Sequence, residues 1–427
     1  MKIIEGFTQV KPLFSRRMAG VADGDESLEK SVRQIIDAVR QRGDAALFDF
    51  TQQFDGVKLT SLEVSQEQVD SAYRELDKKL IAALELAALR IKAYHQRQKK
   101  KLLNEDAKAK LGWLIRPLER IGIYVPGGTA PLPSSLLMTV VPARVAGVKE
   151  IIVCTPPQKN GQISPITLAA AKIAGVDRVF SVGGAQAIAA LAYGTKTVPA
   201  VDKICGPGNM YVTLAKKLVF GTVGIDGLYG PSEVIIIADG TANPAYIAAD
   251  LLAQAEHGSL ALSILITTSR QVADAVNQEV EKQLQDLSRR DIIMEALEKR
   301  GFIAVVKTVD EAIELANLYA PEHLCLVVRN ASSYIDKVRN TACLFVGENA
   351  IEALVDYAAG PSHVLPTGGT ARFSSPLNIL DFVKLISLVK TDVTDIQQLG
   401  SAVTQIARAE GLDAHARAVE KRLKGAG

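Results

Sequence analysis

Cysteine is scarce and scattered. The 427 residues carry four, Cys154, Cys205, Cys325 and Cys343, with no C-x-x-C pair among them. That pattern excludes a disulfide framework and a cysteine zinc site. An excess of charge of one sign is also missing, with 49 Lys and Arg against 47 Asp and Glu. Such a balance gives no electrostatic reason to expect nucleic acid or an acidic membrane surface as partner. The basic run Arg97 to Lys101 ends a long charged helical pattern and reads as a solvated face. Long apolar runs are absent, because proline, arginine or lysine interrupts the best stretches. The opening MKIIEGFTQVKPLF lacks the apolar centre of a secretory signal. Together these absences predict a protein of the reducing cytoplasm that neither spans a membrane nor binds nucleic acid.

What is present is length and apolar content. At 427 residues the chain exceeds one ordinary core, so two larger domains plus extra segments are expected. A composition of 48% hydrophobic and 22% charged residues is globular. There is no internal repeat and no low-complexity segment. Glu26 to Phe54 and Ser65 to Lys100 carry apolar residues at helical spacing. From Arg120 the pattern alternates: strands RIGIYV, EIIVC, RVFSV and KIC, with helices at Ser134 to Val148, Pro165 to Gly175, Gln186 to Tyr193 and Asn209 to Phe220. A second series has strands EVIIIAD, LSILIT, FIAVV, LCLVV and CLFVG. Its helices run over Pro244 to His257, Ser269 to Leu287, Asp310 to Tyr319 and Asn349 to Ala359. Alternation of this kind predicts an α/β protein with mostly parallel sheets covered by helices, and two series predict two doubly wound, Rossmann-like domains. The tail from about Asp381 reads as helical and polar, without a core, and so packs on something else such as another subunit.

Four of the five histidines lie in the C-terminal part. His95 sits in a charged helix and reads as a surface residue. Gln254 and His257, three apart at a helix end, point to one side, and Gly258 reads as the cap. Glu322 and His323 follow Pro321, where a helix must stop, and Asp356 and His363 flank the end of the next helix. Three pairs of metal-competent groups therefore fall where helices end and strands begin, on one edge of a parallel sheet. Helix C-termini carry partial negative charge that favours a cation, and imidazole with carboxylate suits zinc or a similar divalent ion. Glutamine is an uncommon zinc ligand, and spacing alone does not select Gln254. A single histidine at a helix end is more often a polar cap, and it is the three pairs together that argue for a site.

Three glycine-rich turns, VPGGTAP (Val125 to Pro131), VGGAQA (Val182 to Ala187) and GPGN (Gly206 to Asn209), each follow a strand and open a helix. Backbone N–H groups in such turns can approach a phosphate. None is the G-x-G-x-x-G fingerprint, and no acidic residue stands at the expected distance. Tight turns in a packed α/β domain would look the same. Cys154 ends an apolar strand with no histidine nearby, as a buried structural cysteine does.

The motifs IYVPGGTAPLPSSLLMTVVPARVAGV, VGGAQAIAALAYGT, VDKICGPGN, GPSEVIIIAD, DLLAQAEH, APEHL and DYAAGPSHVLPTGGTARFSS, in this order, resemble the histidinol dehydrogenase family. The resemblance runs from the early helices to the C-terminus. It implies zinc-dependent oxidation of L-histidinol to L-histidine by two NAD+, the last steps of histidine biosynthesis. By position, Gln254, His257, Asp356 and His415 would be zinc ligands, and Glu322 and His323 the acid–base pair. Ser232, His363 and Glu410 would help hold the substrate along with the zinc ligands and His323, and Tyr124, Gln186 and Asn209 would contact NAD. The family is a homodimer whose tail reaches the partner's site, which would supply Glu410 and His415 from the other chain. The implied division is an N-terminal arm over 1–21, a zinc and substrate domain over 22–123 and 232–377, an NAD domain over 124–231, and the tail over 378–427. Two departures stand out. Ala320 replaces the usual glycine before PEHL, a change that matters only if the position needs positive φ. GSLALS follows His257 where the family often has an acidic residue, which bears on the surroundings of the metal.

Other readings remain at this stage. A related zinc and NAD dehydrogenase of another alcohol, such as a sulfonated diol, would keep the metal ligands and change the substrate contacts. Glu410 and His363 favour histidinol. A zinc hydrolase would not need the glycine-rich turns, and a nucleotide-binding module without catalysis would leave the metal-competent pairs unexplained.

Overall fold

The structure, a computed structural model, describes residues 1–15, 26–127 and 131–425. Its strands are β1 Lys2–Glu5, β2 Glu63–Val64, β3 Leu111–Pro117, β4 Arg120–Tyr124, β5 Glu150–Thr155, β6 Arg178–Ser181, β7 Lys203–Cys205, β8 Gly224–Ile225, β9 Glu233–Ala238, β10 Leu262–Thr267, β11 Phe302–Val305, β12 His323–Val327, β13 Cys343–Val346 and β14 Val383–Val389. The chain divides into two compact units. The larger comprises Met1–Arg97 and Leu118–Phe382, the smaller Gln98–Pro117 and Val383–Gly427.

The larger unit holds two six-stranded sheets. The first has the order β2-β6-β5-β4-β7-β8 and is parallel except where β2 meets β6. The second has the order β1-β11-β10-β9-β12-β13 and is parallel throughout. Helices cover both faces of such sheets, so β9, β10 and β12 are buried at every position and are mostly aliphatic. The expected α/β architecture with mostly parallel sheets is what the fold shows.

The boundaries differ from the sequence reading at several points. Glu26–Arg42 and Asp44–Asp55 are two helices, because Gly43 adopts φ +55 between them. Gln66–Glu75 and Lys78–Leu102 are likewise separate, and Asp77 accepts from the N–H groups of Lys79 and Leu80 at the new start. Leu28, Val32, Ile35, Ile36 and Val39 join the core of the first sheet with Ile188 and Leu191. Within residues 1–15, β1 extends the second sheet, and Val10 and Phe14 of Phe7–Ser15 are fully buried. The remainder of the expected arm, 16–21, lies outside the described residues. A helix at Arg290–Arg300 was not anticipated.

His95 is buried, not a surface residue. It continues the inward stripe of Leu84, Ala87 and Ile91 along its helix. Cys154 is buried as expected, burial pushes its thiol up, and all four cysteines are free. Among the described residues, no helix is long and apolar enough to cross a membrane.

The smaller unit corrects the all-helical tail. Val383–Val389, VKLISLV, is a strand that pairs antiparallel with β3 in a two-stranded ribbon, as its aliphatic and β-branched content allows. Two helices follow, Val393–Ala409 and Asp413–Gly425. Asp392 and Asp395 cap the first reciprocally, and Lys110 pairs with both.

Candidate active site

The chain leaves β4 toward β5 on one side and enters β7 on the other, so the C-terminal edge of the first sheet has its crevice there. That edge faces the N-terminal edge of the second sheet. Between them lies a cavity of about 190 Å³. Ser134, Ser135, Pro207 and Tyr229 line it from the first sheet, and Ser232, His257, Glu322, His323, Asp356 and His363 from the second. Ser232 immediately precedes β9, Glu322 precedes β12, and His323 is the first residue of β12. Of the three polar pairs read from the sequence, His257, Glu322, His323, Asp356 and His363 thus line one cavity at one sheet edge.

The backbone of β9 orients the acid–base candidates. Glu233 donates its N–H to Glu322 Oε2 at 2.8 Å, and His323 Nδ1 lies 3.2 Å from the Glu233 carbonyl oxygen. A carbonyl only accepts, so Nδ1 carries the proton and Nε2 keeps its lone pair. Nε2 is buried with no hydrogen-bond partner. Burial lowers His323 to about 3, and it pushes the Glu322 carboxyl well above the usual carboxylate range, with Glu233 and Asp356 adding to the rise. His363 is neutral for the same reason, lowered to about 4. Its Nδ1 donates to the Asp356 carbonyl at 2.8 Å, and Ser135 Oγ sits 3.1 Å from Nε2.

Beside this pair is a set of donors that suits a cation. His257, Glu352 and Asp356 each offer a ligand atom within 4.8 Å of the others. Glu352 and Asp356 are one turn apart on Glu352–Tyr357. Gln254, at the end of Pro244–Ala255, is fully buried with both amide atoms unpartnered, and Glu352 Oε2 is also buried without a partner. Burial raises Asp356 to about 6 and Glu352 well above its ordinary value, with neighbouring carboxylates adding to the shift of Glu352. Orphaned amide oxygen, imidazole and crowded carboxylates are the groups a divalent ion would satisfy. Glu352 was not singled out from the sequence. Its signal was the spacing to Asp356, which puts both acids on one helix face.

Glu410 and His415 lie in the smaller unit, both exposed, Glu410 at the end of its first helix and His415 in the first turn of its second. They are not among the residues lining this cavity.

On the glycine-rich edge, Tyr124 is buried at the end of β4, and its hydroxyl accepts from the Gly184 N–H at 3.1 Å. Gln186 is buried with Oε1 unpartnered. Asn209 caps Met210–Val219 by accepting from the Val212 N–H at 3.1 Å. Gly206 has φ +113, and a Cβ there would lie 2.1 Å from the Tyr124 carbonyl oxygen, so only glycine fits. Gly128 to Ala130 of the VPGGTAP turn lie outside the described residues.

The family model described as histidinol dehydrogenase matches residues 20–423. The chain belongs to the histidinol dehydrogenase family. A histidinol dehydrogenase of Dehalococcoides mccartyi (strain CBDB1) is 55% identical over 99% of this chain and all of the relative. That of Geobacter metallireducens is 51% identical over 95% of each chain. The crystal structure of histidinol dehydrogenase from Elizabethkingia anophelis superposes with a TM-score of 0.93 at 38% identity, covering all of this chain and 98% of that one. The resemblance read from the motifs is therefore correct, and the chain is an α/β oxidoreductase of that family.

Ala320 has φ +61 at the end of Val309–Tyr319, in the left-handed region that favours glycine. It carries strain two residues before Glu322.

Proposed function

We propose that the chain oxidises L-histidinol to L-histidine through L-histidinaldehyde, consuming two NAD+ and using zinc, as the final steps of L-histidine biosynthesis. The observation that carries this reading is the single cavity bordered by the glycine-rich edge, the buried Glu322 and His323, and the donor set around His257 and Asp356. The first sheet would take the dinucleotide, with contacts from Tyr124, Gln186 and Asn209. The second would take the substrate.

Gln254, His257 and Asp356 would hold zinc, with His415 supplied by the tail of a second copy. The orphaned amide of Gln254 supports that assignment. When bound, zinc supplies a Lewis acid that grips the nitrogens of histidinol, and NAD+ supplies the hydride acceptor. Ser232, His363 and Glu410 would orient the substrate alongside the ligands. His323, with Nε2 free, takes the hydroxyl proton as the carbinol carbon loses hydride, which gives the aldehyde. Glu322, once ionised, takes a proton from the water that adds to the aldehyde carbon, while His323 returns its proton to the carbonyl oxygen, which gives the hydrate and leaves His323 again a free base. His323 then takes a hydroxyl proton from the resulting hydrate as it loses the second hydride, which gives the carboxylate. The tail of a second copy, closing over the cavity, would retain the reactive aldehyde between the two steps.

A homodimer with shared sites is part of this proposal. Leu385, Leu399 and Ile406 of the smaller unit are 69%, 58% and 60% exposed, more apolar surface than an isolated tail would leave in water. Free cysteines are consistent with the cytoplasm. The assignment of His323 is tested by His323→Ala. Turnover falls by roughly 10²- to 10⁴-fold while metal analysis finds zinc still bound. Parallel loss of zinc would contradict the role.

A further inference from the structure

The first sheet departs from a standard dinucleotide fold at the end of the strand beside its first one. In such folds an acid at the end of the strand beside the first one takes the ribose hydroxyls. Here that strand is β5, next to β4, and it runs out into Thr155, Pro156 and Pro157 with no acid. A carboxylate reaches the same spot from elsewhere in the chain. Asp55 ends the helix Asp44–Asp55, which Gly56 stops at φ +73. Asp55 lines a cavity of about 290 Å³ together with Gly127, after β4, and Thr155 and Pro156, after β5.

This cavity is built, not a casual surface dent. A Cβ on Gly127 or on Gly183 would lie 2.7 Å or 2.5 Å from Pro156, so the three turns are packed against one another. Asp55 Oδ2 is buried and has no hydrogen-bond partner. Burial alone raises the carboxyl, to about 6, so it is largely ionised at neutral pH yet stripped of water on one oxygen. A buried acceptor in that state lacks a donor.

We propose that Asp55 accepts hydrogen bonds from the adenosine ribose hydroxyls of the dinucleotide and excludes the 2′-phosphate of NADP. The proposal rests on the reading that this chain uses NAD. A ribose diol supplies the donors that Oδ2 lacks. Lys159 lines the same cavity, but burial is the only influence on the Asp55 carboxyl, so a 2′-phosphate would meet a desolvated carboxylate whose charge no cation offsets.

Calorimetric titration of wild type, Asp55→Asn and Asp55→Glu with NAD+ and NADP+ tests this directly, after matching thermal melts establish folding. Wild type binds NAD+ at least tenfold more tightly than NADP+. Asp55→Asn weakens NAD+ binding roughly 10- to 100-fold, the effect of losing hydrogen bonds to a charged group, and narrows the gap to NADP+. Asp55→Glu keeps the exclusion of NADP+ while losing affinity for NAD+. A 2′-deoxyadenosine analogue of NAD+ binds wild type more weakly than NAD+ does, and Asp55→Asn does not distinguish the two. If wild type turns over histidinol with NAD+ but Asp55→Asn keeps its NAD+ affinity and NADP+ discrimination, the assignment of Asp55 fails alone. If wild type binds neither dinucleotide, the NAD reading fails and this assignment falls with it.

Discussion

The imidazole Nδ1 of His323 lies 3.2 Å from the carbonyl oxygen of Glu233, and this contact decides which nitrogen does chemistry. With Nδ1 fixed as donor, Nε2 is the base. The Glu233 N–H meanwhile grips Glu322, so one residue of the central strand sets the orientation of both groups. The two nevertheless differ in charge. Burial keeps His323 neutral and holds Glu322 protonated to unusually high pH.

That difference separates the two half-reactions by pH. His323 is lowered to about 3, so it is an unprotonated base at every pH above that value. Glu322 is raised, so its carboxylate becomes available only as pH climbs. Oxidation of histidinol to the aldehyde should therefore be nearly flat through neutral pH, while oxidation of supplied histidinaldehyde should rise with pH. Single-turnover rates from each substrate check this. A histidinol step that rises as steeply as the aldehyde step would contradict the division of labour.

Glu322→Gln should divide the steps in the same sense. The amide keeps the shape of the side chain but cannot take a proton. Aldehyde oxidation is expected to fall roughly 10²-fold or more, with histidinol oxidation reduced far less and aldehyde released into solution. Trapping the aldehyde with a hydrazine reagent measures the release.

Zinc affinity should fall with acid. Burial raises Asp356 to about 6, and burial together with neighbouring acids raises Glu352 well above its ordinary value in the metal-free chain. An ion needs them ionised, so protons compete with it increasingly as pH drops through 6. Zinc at one hundred times its dissociation constant adds about 2.7 kcal/mol of stability. The gain in melting temperature on adding zinc should shrink from pH 8 to pH 5.5 and vanish in Asp356→Ala at any pH.

Ala320→Gly should stabilise the chain. A left-handed alanine costs roughly 1–2 kcal/mol, and glycine gives back about 0.4–1 kcal/mol through unfolded-chain entropy. The net expected gain is about 0.5–1 kcal/mol, read from urea denaturation. A loss of stability would mean that the φ of +61 carries no strain.

Sharing of the tail between subunits has a genetic-style test in solution. His323→Ala and His415→Ala should each be inactive. When they are unfolded together and refolded, half the dimers are hybrids, and one of the two sites in each hybrid has both histidines intact. Activity should recover to about one quarter of wild type. A tail that acts within its own chain would give no recovery.

Much of this was legible in the sequence because it rests on local patterns. Aliphatic runs such as EVIIIA marked central parallel strands, and helix stops at Gly258 and Pro321 located the polar pairs at one sheet edge. What escaped depended on partners distant in sequence. Val383–Val389 becomes a strand by pairing with Leu111–Pro117, and His95 becomes buried through the packing of its helix stripe. The role of Asp55 could not be read either. It stands about a hundred residues before the strand end it serves. Glu352 was within reach, since its spacing to Asp356 is a helical one.

The measurement that bears most directly on the proposed activity is the count of NADH formed per molecule of L-histidinol by the zinc-loaded protein, repeated after chelation. Two NADH per histidinol, with L-histidine as the product and the activity lost on removal of zinc, is the predicted result. Folded, zinc-loaded protein that makes no NADH from histidinol would contradict it and redirect the search to other alcohols in the same assay.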